Sequence, residues 1–103
     1  MQKKFDVVSQ DKALENALSF IHEQLESMKL KNRDINRAEL MCEESLLSML
    51  KRADFSQLSY FAVDVYKLFG DVIIDLNVPS EEFDFYENVE IPYHTYDDEL
   101  QEE

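Results

Sequence analysis

The pattern of apolar residues changes from a short run to a helical spacing near residue 9. Phe5, Val7 and Val8 lie close together and predict a first strand within residues 3–9. Ser9 then offers a helix cap, with Asp11 in the first turn, where a carboxylate suits the positive end of the helix dipole. The apolar residues that follow recur every three or four positions and predict an amphipathic helix of about five turns. These residues are Leu14, Ala17, Leu18, Ile21, Leu25 and Met28.

A second helix is expected after a polar break at residues 31–34, which predicts a loop. The helix should begin near Asp34 or Asn36, since Asn36 followed three residues later by Glu39 resembles a capping box. Its apolar positions continue to about Ala53, where Asp54 and Ser56 should end it. These positions are Leu40, Met41, Leu46, Leu47 and Leu50.

Two strands joined by a tight turn are expected next. Residues 61–66 alternate between apolar and more polar positions, with the period of two that is typical of a half-buried strand. The chain's only glycine, Gly70, precedes Asp71 and predicts a hairpin turn. Residues 72–78 then form a strand that Pro79 closes, because proline cannot donate a hydrogen bond to a neighbouring strand.

The element order β-α-α-β-β predicts an α+β fold, with two helices packed on one face of a small, mostly antiparallel sheet. We expect one domain over residues 1–85. Periodicity ends there, and residues 86–103 are rich in acids, which predicts an acidic C-terminal tail. The tail either docks on the domain through its tyrosines or stays disordered and binds a partner.

Acidic residues are concentrated toward the C-terminus. The net charge is −13; residues 1–67 contain eleven acids and all ten basic residues, whereas residues 68–103 contain twelve acids and no Lys or Arg. Nucleic-acid binding needs a basic patch, and an anionic membrane surface would repel the acidic segment. We therefore expect a protein partner rather than a nucleic acid, and no uncharged stretch is long enough for membrane insertion.

The cysteine and histidine residues predict neither a disulfide nor a metal site. Cys42 is the single cysteine and is expected to be a buried structural thiol. His22 is expected to be exposed, and neither His22 nor His94 has neighbours typical of metal ligands. The first residues contain no apolar run of the signal-peptide type, so a reducing cytoplasm is the predicted location.

The second helix resembles the N-box helix of the GHKL superfamily, which includes histidine kinases, gyrase-type ATPases and anti-sigma-factor kinases. The anti-sigma-like branch reads approximately E-L-x-x-E-E-x-L-x-N-x-x-x-H-A, and residues 39–53 here read ELMCEESLLSMLKRA. Ser48 stands at the Asn position and Arg52 at the His position. Residues 70–84 resemble the family's strand, acidic nucleotide motif and Phe-Asp. The resemblance covers about residues 3–85 and implies the front half of a Bergerat-type sandwich.

This resemblance implies an ATP-binding domain, or a degenerate relic of one, with ATP and Mg²⁺ as cofactors and regulatory protein phosphorylation or ATP hydrolysis as the reaction class. Glu44 would polarise the attacking water or hydroxyl as a general base, and Ser48 would contact the Mg²⁺ ion. Asp75 would receive the adenine amino group, and Asn77 stands near where the family has glycine. The arrangement requires Glu44 to face a cavity beside Asp75.

Other features favour a different function. No glycine follows Asp75, although a close approach of backbone to nucleotide favours glycine, and the acids after residue 85 would repel a triphosphate. The alternative is a protein-interaction module that retains part of the fold and binds no nucleotide. In that case Glu44 and Ser48 lie on a solvated helix face, and Asp75 points to solvent on the open face of the sheet. Self-association, or membership of a longer chain with the tail as a linker, also remains open.

Overall fold

The computed structural model describes residues 1–7, 10–53, 60–79 and 84–92. Its four strands form one antiparallel sheet in the order β1-β2-β3-β4. Both helices pack on the same face of this sheet, α1 against β1 and β2, and α2 against β3 and β4. The predicted α+β class is confirmed. The elements are β1 (Gln2–Asp6), α1 (Gln10–Ser27), α2 (Asn32–Arg52), β2 (Tyr60–Leu68), β3 (Asp71–Val78) and β4 (Phe85–Pro92).

Each helix buries one apolar stripe. The prediction for α2 is right for Leu46 and Leu50, but Leu40 and Met41 are exposed rather than buried. The stripe on α1 includes Ala17, Ile21 and Leu25, all fully buried. The stripe on α2 contains Ile35, Ala38, Cys42, Leu46, Met49 and Leu50. Cys42 is confirmed as a buried thiol, and its burial raises its pKa to about 12. Neither described helix is both long and apolar enough to cross a membrane.

The start of α2 differs from the prediction. The helix begins at Asn32, so residues 32–34 are helical rather than a loop, and Asn36 lies inside the helix instead of capping it. Lys31 stands at the N-cap position without a side-chain cap hydrogen bond. Burial of Ile35 and Ala38 explains the earlier start, because the apolar stripe requires helical backbone already in the first turn. The predicted end is confirmed, since α2 stops at Arg52; the proposed cap at Ser9 lies outside the described residues.

The first part of the predicted acidic tail is a strand, because residues 86–92 belong to β4. This strand pairs with β3 from Val78 opposite Phe85 to Asp71 opposite Pro92. Val89 and Ile91 are buried in the core, while Glu90 between them is exposed. Glu90 occupies an outward position of this alternating strand, whereas Glu87 has the parity of Val89 and Ile91 and lies on the helix side, 3.6 Å from Arg52. An acid at an inward position interrupts the apolar alternation and made the segment resemble a tail. Residues 93–103 lie outside the described residues.

The predicted hairpin between β2 and β3 has a two-residue turn. Leu68 pairs with Asp71, and the two residues between them both have positive φ, 49° for Phe69 and 87° for Gly70. A turn of this kind matches the right-handed twist of the strands but requires left-handed backbone at both positions. Glycine adopts that conformation without cost, whereas a bulky residue seldom does. Phe69 is nevertheless 98% exposed, so packing does not hold it there.

The two faces of the sheet differ in composition because side chains alternate along each strand. The face under the helices is apolar and includes Val63, Ile74, Leu76 and Val89, all in the core. No described helix covers the opposite face, which we call the open face. Its central positions follow from the strand register and are mostly polar or aromatic. They include Ala62, Asp64, Tyr66, Ile73, Asp75, Asn77, Tyr86 and Asn88.

Candidate binding site on the open face of the sheet

Two predicted site residues lie on the outer surface of α2. Glu44 and Ser48 are both exposed, and their spacing of four places them on one stripe that continues to Arg52. The Arg52 guanidinium lies 3.6 Å from the Glu87 carboxylate and 5.0 Å from the ring centroid of Phe85. Arg52, at the His position of the resemblance, therefore connects α2 to β4.

The other two predicted site residues, Asp75 and Asn77, lie within β3 on the open face. Asp75 stands in the middle of the strand, opposite Asp64 of β2 and Asn88 of β4, rather than at a strand end. The strand continues because Leu76 and Val78 extend its buried apolar side. The same alternation of side chains directs Asp75 and Asn77 away from the helices.

The expectation that Glu44 and Asp75 face a shared cavity is therefore wrong. Helix α2 packs on one side of the sheet, and Asp75 belongs to the other. The sheet and the apolar core beneath α2 lie between the two carboxylates, so these groups cannot act on one bound molecule. Ser48 is on the side of Glu44, and Asn77 is on the side of Asp75. The structure thus divides the four predicted residues into two unrelated pairs.

Asp75 and Asn77 line a shallow groove of about 300 Å³ on the open face. Tyr60 and Tyr86 contribute aromatic walls, and Asp64 contributes a second carboxylate. Tyr86 is 54% exposed, so the groove is accessible to a large molecule. The groove joins β1, β2, β3 and β4, and the antiparallel register aligns its side chains in rows across the sheet.

The Asp75 carboxylate has one oxygen with a donor and one without. The Tyr66 hydroxyl donates to Asp75 Oδ2 at 2.9 Å, and this hydrogen bond is the main reason that the pKa of Tyr66 rises to about 12. Hydrogen bonding to the same carboxylate is also the largest cause of the raised pKa of Tyr86. Asp75 Oδ1 is buried and has no hydrogen-bond partner among the described residues. A buried acceptor without a donor is costly, and native proteins contain few of them.

Positive charge near the groove is limited. The Met1 ammonium lies 3.3 Å from Asp64 Oδ1, and Lys4 Nζ lies 4.8 Å from the ring centroid of Tyr60. The Lys4 contact is a cation–π interaction on the open face itself. No group of three or more His, Cys, Asp or Glu side chains is arranged to hold a metal ion in the described part of the chain.

A second groove, of about 750 Å³, lies between the outer surfaces of α1 and α2. His22 is half-buried there rather than fully exposed, with Nδ1 2.6 Å from Glu39 Oε1 and Nε2 3.5 Å from Glu26 Oε1. The hydrogen bond to Glu39 is the main cause of the raised pKa of His22. Neither Glu44 nor Ser48 lines this groove. The His22–Glu39 contact has no signal in the sequence pattern, because it depends on how the two helices pack against each other.

The strand period could have identified the tyrosine and carboxylate residues of the open face. Asp64 and Tyr66 are two residues apart in β2 and therefore lie on the same face of the sheet, and the same holds for Asp75 and Asn77 in β3. Only Tyr86 had no such signal, because β4 was expected to be tail.

A scan against protein-family models, a search of curated proteins and a search of solved structures each find no match for this chain.

Proposed function

We propose that the protein is an interaction module that binds a basic segment of a partner protein through the open face of its sheet. The observation that supports this most directly is the pair of carboxylates in the groove: Asp64 and Asp75 face each other beside the aromatic rings of Tyr60 and Tyr86. A basic segment would supply charged N–H donors to these carboxylates and offset their mutual repulsion.

The composition of the groove agrees with a protein ligand. Tyrosine combines a large apolar ring with a polar hydroxyl, and it is enriched at protein–protein interfaces for that reason. Two carboxylates, Asp64 and Asp75, face each other across β2 and β3. The chain as a whole has a net charge of −13, which would attract a basic segment and speed its association.

ATP and Mg²⁺ are not part of this proposal. The nucleotide hypothesis needs Glu44 and Asp75 at one site, and these residues lie on opposite sides of the sheet. The surplus of carboxylates on the open face would also repel a triphosphate. We propose the reducing cytoplasm as the location because Cys42, the single cysteine, has a buried, unpaired thiol.

Nuclear magnetic resonance of the ¹⁵N-labelled full chain tests the proposal. The probes are a short capped peptide of alternating Ser and Arg residues, a matched peptide of alternating Ser and Glu, and ATP with Mg²⁺. We expect the Arg peptide to shift amide resonances of β2, β3 and β4 around Asp75, with weaker binding at higher salt. The Glu peptide should cause no shift.

Three results would contradict the proposal. The first is the absence of any shift with millimolar Arg peptide. The second is a set of shifts centred on Glu44 and Ser48 with ATP and Mg²⁺ but none with peptide, which would restore the nucleotide hypothesis. Peptide-induced shifts confined to the groove between α1 and α2 would also place the binding surface elsewhere.

A further inference from the structure

We infer that copies of this chain join edge to edge, with β1 of one copy pairing antiparallel with β4 of the next. In the described part of the chain no strand pairs with the outer edge of β1 or of β4, since the sheet order is β1-β2-β3-β4. The contact is head to tail, because the two surfaces differ and each joined pair still presents one of each. It lies at the edges of the sheet and is separate from the open face, where the proposed function places the partner.

The backbone hydrogen-bonding groups of the two edges have the same phase. Met1 and Val65 exchange both backbone hydrogen bonds, so every second residue of β1 from there bonds to β2, and the residues between direct their N–H and C=O groups outward. The same alternation continues through the unbroken registers of β2 and β3 to β4. Each edge therefore offers both donors and acceptors to a further strand. The outward residues are Gln2, Lys4 and Asp6 in β1, and Tyr86, Asn88 and Glu90 in β4.

The two edges carry opposite charges. Strand β1 contains Lys3 and Lys4 with one acid, Asp6, whereas β4 contains Glu87 and Glu90 and no basic residue. Pairing of β1 with β1 of a second copy would bring lysines together, and pairing of β4 with β4 would bring glutamates together. Charged residues at sheet edges discourage such contacts between like edges. The mixed contact is instead favoured, so β4 of a second copy is the complementary occupant of the β1 edge.

One register matches the side chains along the whole of β1. Side chains that face the helices must stay on that side of a joined sheet, so the register can shift only in steps of two residues. With Lys4 opposite Glu90, a basic and an acidic side chain meet on the open face. The other pairs of this register are Asp6 with Asn88, Phe5 with Val89, Lys3 with Ile91 and Gln2 with Pro92.

The two neighbouring registers are less favourable. A shift of two residues toward the start of β4 places the Glu87 carboxylate opposite Phe5, which is buried in the core. A shift in the other direction places Asp6 opposite Glu90, and like charges directly opposite each other are destabilising. Charge and burial therefore select the register in which Lys4 faces Glu90.

The shape of the molecule beside these edges allows a second copy to approach. A groove of about 510 Å³ lies between β1 and α1, with Lys3, Asp6, Asn16 and Phe20 among its lining residues. Helix α1 packs on β1 and β2, and α2 packs on β3 and β4, so four strands carry two helices. Four strands at about 4.8 Å span about 19 Å, and two helices at about 8–10 Å span a similar width. A joined sheet would therefore continue the helix layer from one copy to the next.

Sedimentation velocity of the full chain over a range of concentrations tests this contact. The net charge of −13 repels a second copy at long range, so the measurement is made at about 0.15 M salt, where charges more than about 8 Å apart are largely screened. We expect the wild-type chain to self-associate. Lys4→Glu on one edge and Glu90→Lys on the other should each raise the dissociation constant about tenfold, because like charges then meet.

A mixture of the two variants supplies the sharpest comparison. At equal concentrations Lys4→Glu and Glu90→Lys should associate with each other again, since each altered edge meets its altered counterpart and the unaltered edges also match. The control is Lys29→Glu, an exposed residue between α1 and α2, which changes the net charge by the same amount as Lys4→Glu. It should associate like the wild-type chain. Thermal unfolding of each variant verifies that the fold is intact.

Amide hydrogen exchange of the unaltered chain is a second measurement, independent of any substitution. At associating concentrations the outward amides of Lys4, Asn88 and Glu90 should exchange about tenfold more slowly, while the Lys3 amide, which bonds to β2, should not change. Sedimentation as a monomer at every concentration would overturn the contact. Association that either single variant leaves unchanged, or a mixture that fails to associate, would also overturn it. Peptide binding to the open face is measured separately, so these results leave the proposed function standing.

Discussion

Asp75 should lower the stability of the fold, and its replacement by asparagine should therefore increase the free energy of unfolding. The buried Oδ1 lacks a donor among the described residues, and an unsatisfied buried acceptor costs roughly 1–3 kcal/mol. Asp64 faces Asp75 across the strands, and like charges in that position cost about 0.2–1 kcal/mol. Asparagine removes the charge, keeps an acceptor for the Tyr66 hydroxyl and offers N–H donors toward Asp64.

Weaker hydrogen bonds from the tyrosine hydroxyls oppose this gain. The Tyr66 hydroxyl would donate to a neutral amide instead of a carboxylate, which weakens that hydrogen bond by about 1 kcal/mol. These ranges sum to a stabilisation of about 0.2–3 kcal/mol, with a centre near about 1.6 kcal/mol. For a domain of this size each kcal/mol corresponds to about 4–8 °C, so a gain at the centre of that range should raise the midpoint of thermal unfolding by roughly 6–13 °C.

Circular dichroism of thermal and urea unfolding measures the effect, with Asp71→Asn as the control. Both variants replace Asp by Asn on the same strand and the same face. The control therefore has the same change in net charge and in strand propensity as Asp75→Asn. The control should stay within about 0.5 kcal/mol of the wild-type chain. A loss of stability in Asp75→Asn but not in the control would refute the reasoning, because Asp75 would then be a structural acceptor that the fold needs.

Three further substitutions test other parts of the structure. Phe69→Asn should stabilise the chain by about 1 kcal/mol in urea unfolding, because asparagine tolerates the left-handed backbone of the turn; an unchanged midpoint would contradict this. His22→Gln should cost less than about 1 kcal/mol near pH 6 and nothing near pH 9. The pKa of His22 is raised, chiefly by Glu39, so its contribution is fully present below the unfolded pKa and is lost as pH rises through the folded pKa; a pH-independent difference would refute the ion pair. Leu46→Ala, at a fully buried position, should cost about 2–5 kcal/mol, while Leu40→Ala, 58% exposed, should change the free energy of unfolding by less than about 0.5 kcal/mol.

Hydrophobic periodicity predicted the fold class and most of the elements. The stripe on α1 and the alternation in β2 and β3 are strong signals, because core packing and local propensity agree there. The polar residues that mark helix ends predicted the helix boundaries less well. The break at residues 31–34 looked like a loop, yet burial of Ile35 extends α2 back to Asn32. Burial against the sheet outweighed the expected capping box at Asn36.

The fourth strand shows a different limit of prediction from sequence. Residues 85–92 read FYENVEIP, and four alternate residues pair with the buried residues of β3: Phe85, Glu87, Val89 and Ile91. One of these four is an acid, and together with Glu90 it suggested a solvated tail. An edge strand of this kind has one face toward the helices and a free edge, where charged residues are common because they discourage further pairing. Composition alone therefore could not separate an edge strand from a tail.

The candidate site was predicted only in part, because the family resemblance and the strand period gave different answers. The resemblance placed Glu44, Ser48, Asp75 and Asn77 at one nucleotide site. The alternation of side chains along β2 and β3 predicts the opposite. The residues on either side of Asp64 are buried in the core, so Asp64, and Asp75 opposite it in β3, lie on the other face of the sheet. The alternative that Asp75 points to the open face is confirmed, although it is half-buried and bonded to Tyr66 rather than simply solvated.

The distribution of unfavourable local features favours a function on the open face and its hairpin. On the helix-facing side, the central positions of the described strands are apolar and well packed, and no buried polar or charged residue occurs in the described core. Several departures lie on the open face and its hairpin: two carboxylates face each other at Asp64 and Asp75, Asp75 Oδ1 lacks a donor among the described residues, and Phe69 occupies a left-handed turn while exposed. One further buried acceptor without a described donor, Asp34 Oδ2, lies in the first turn of α2. Each should reduce stability, and each could be removed by a single substitution. Sequences usually depart from local rules where a site needs them to, so these departures point to contact with a partner rather than to the packing of the fold.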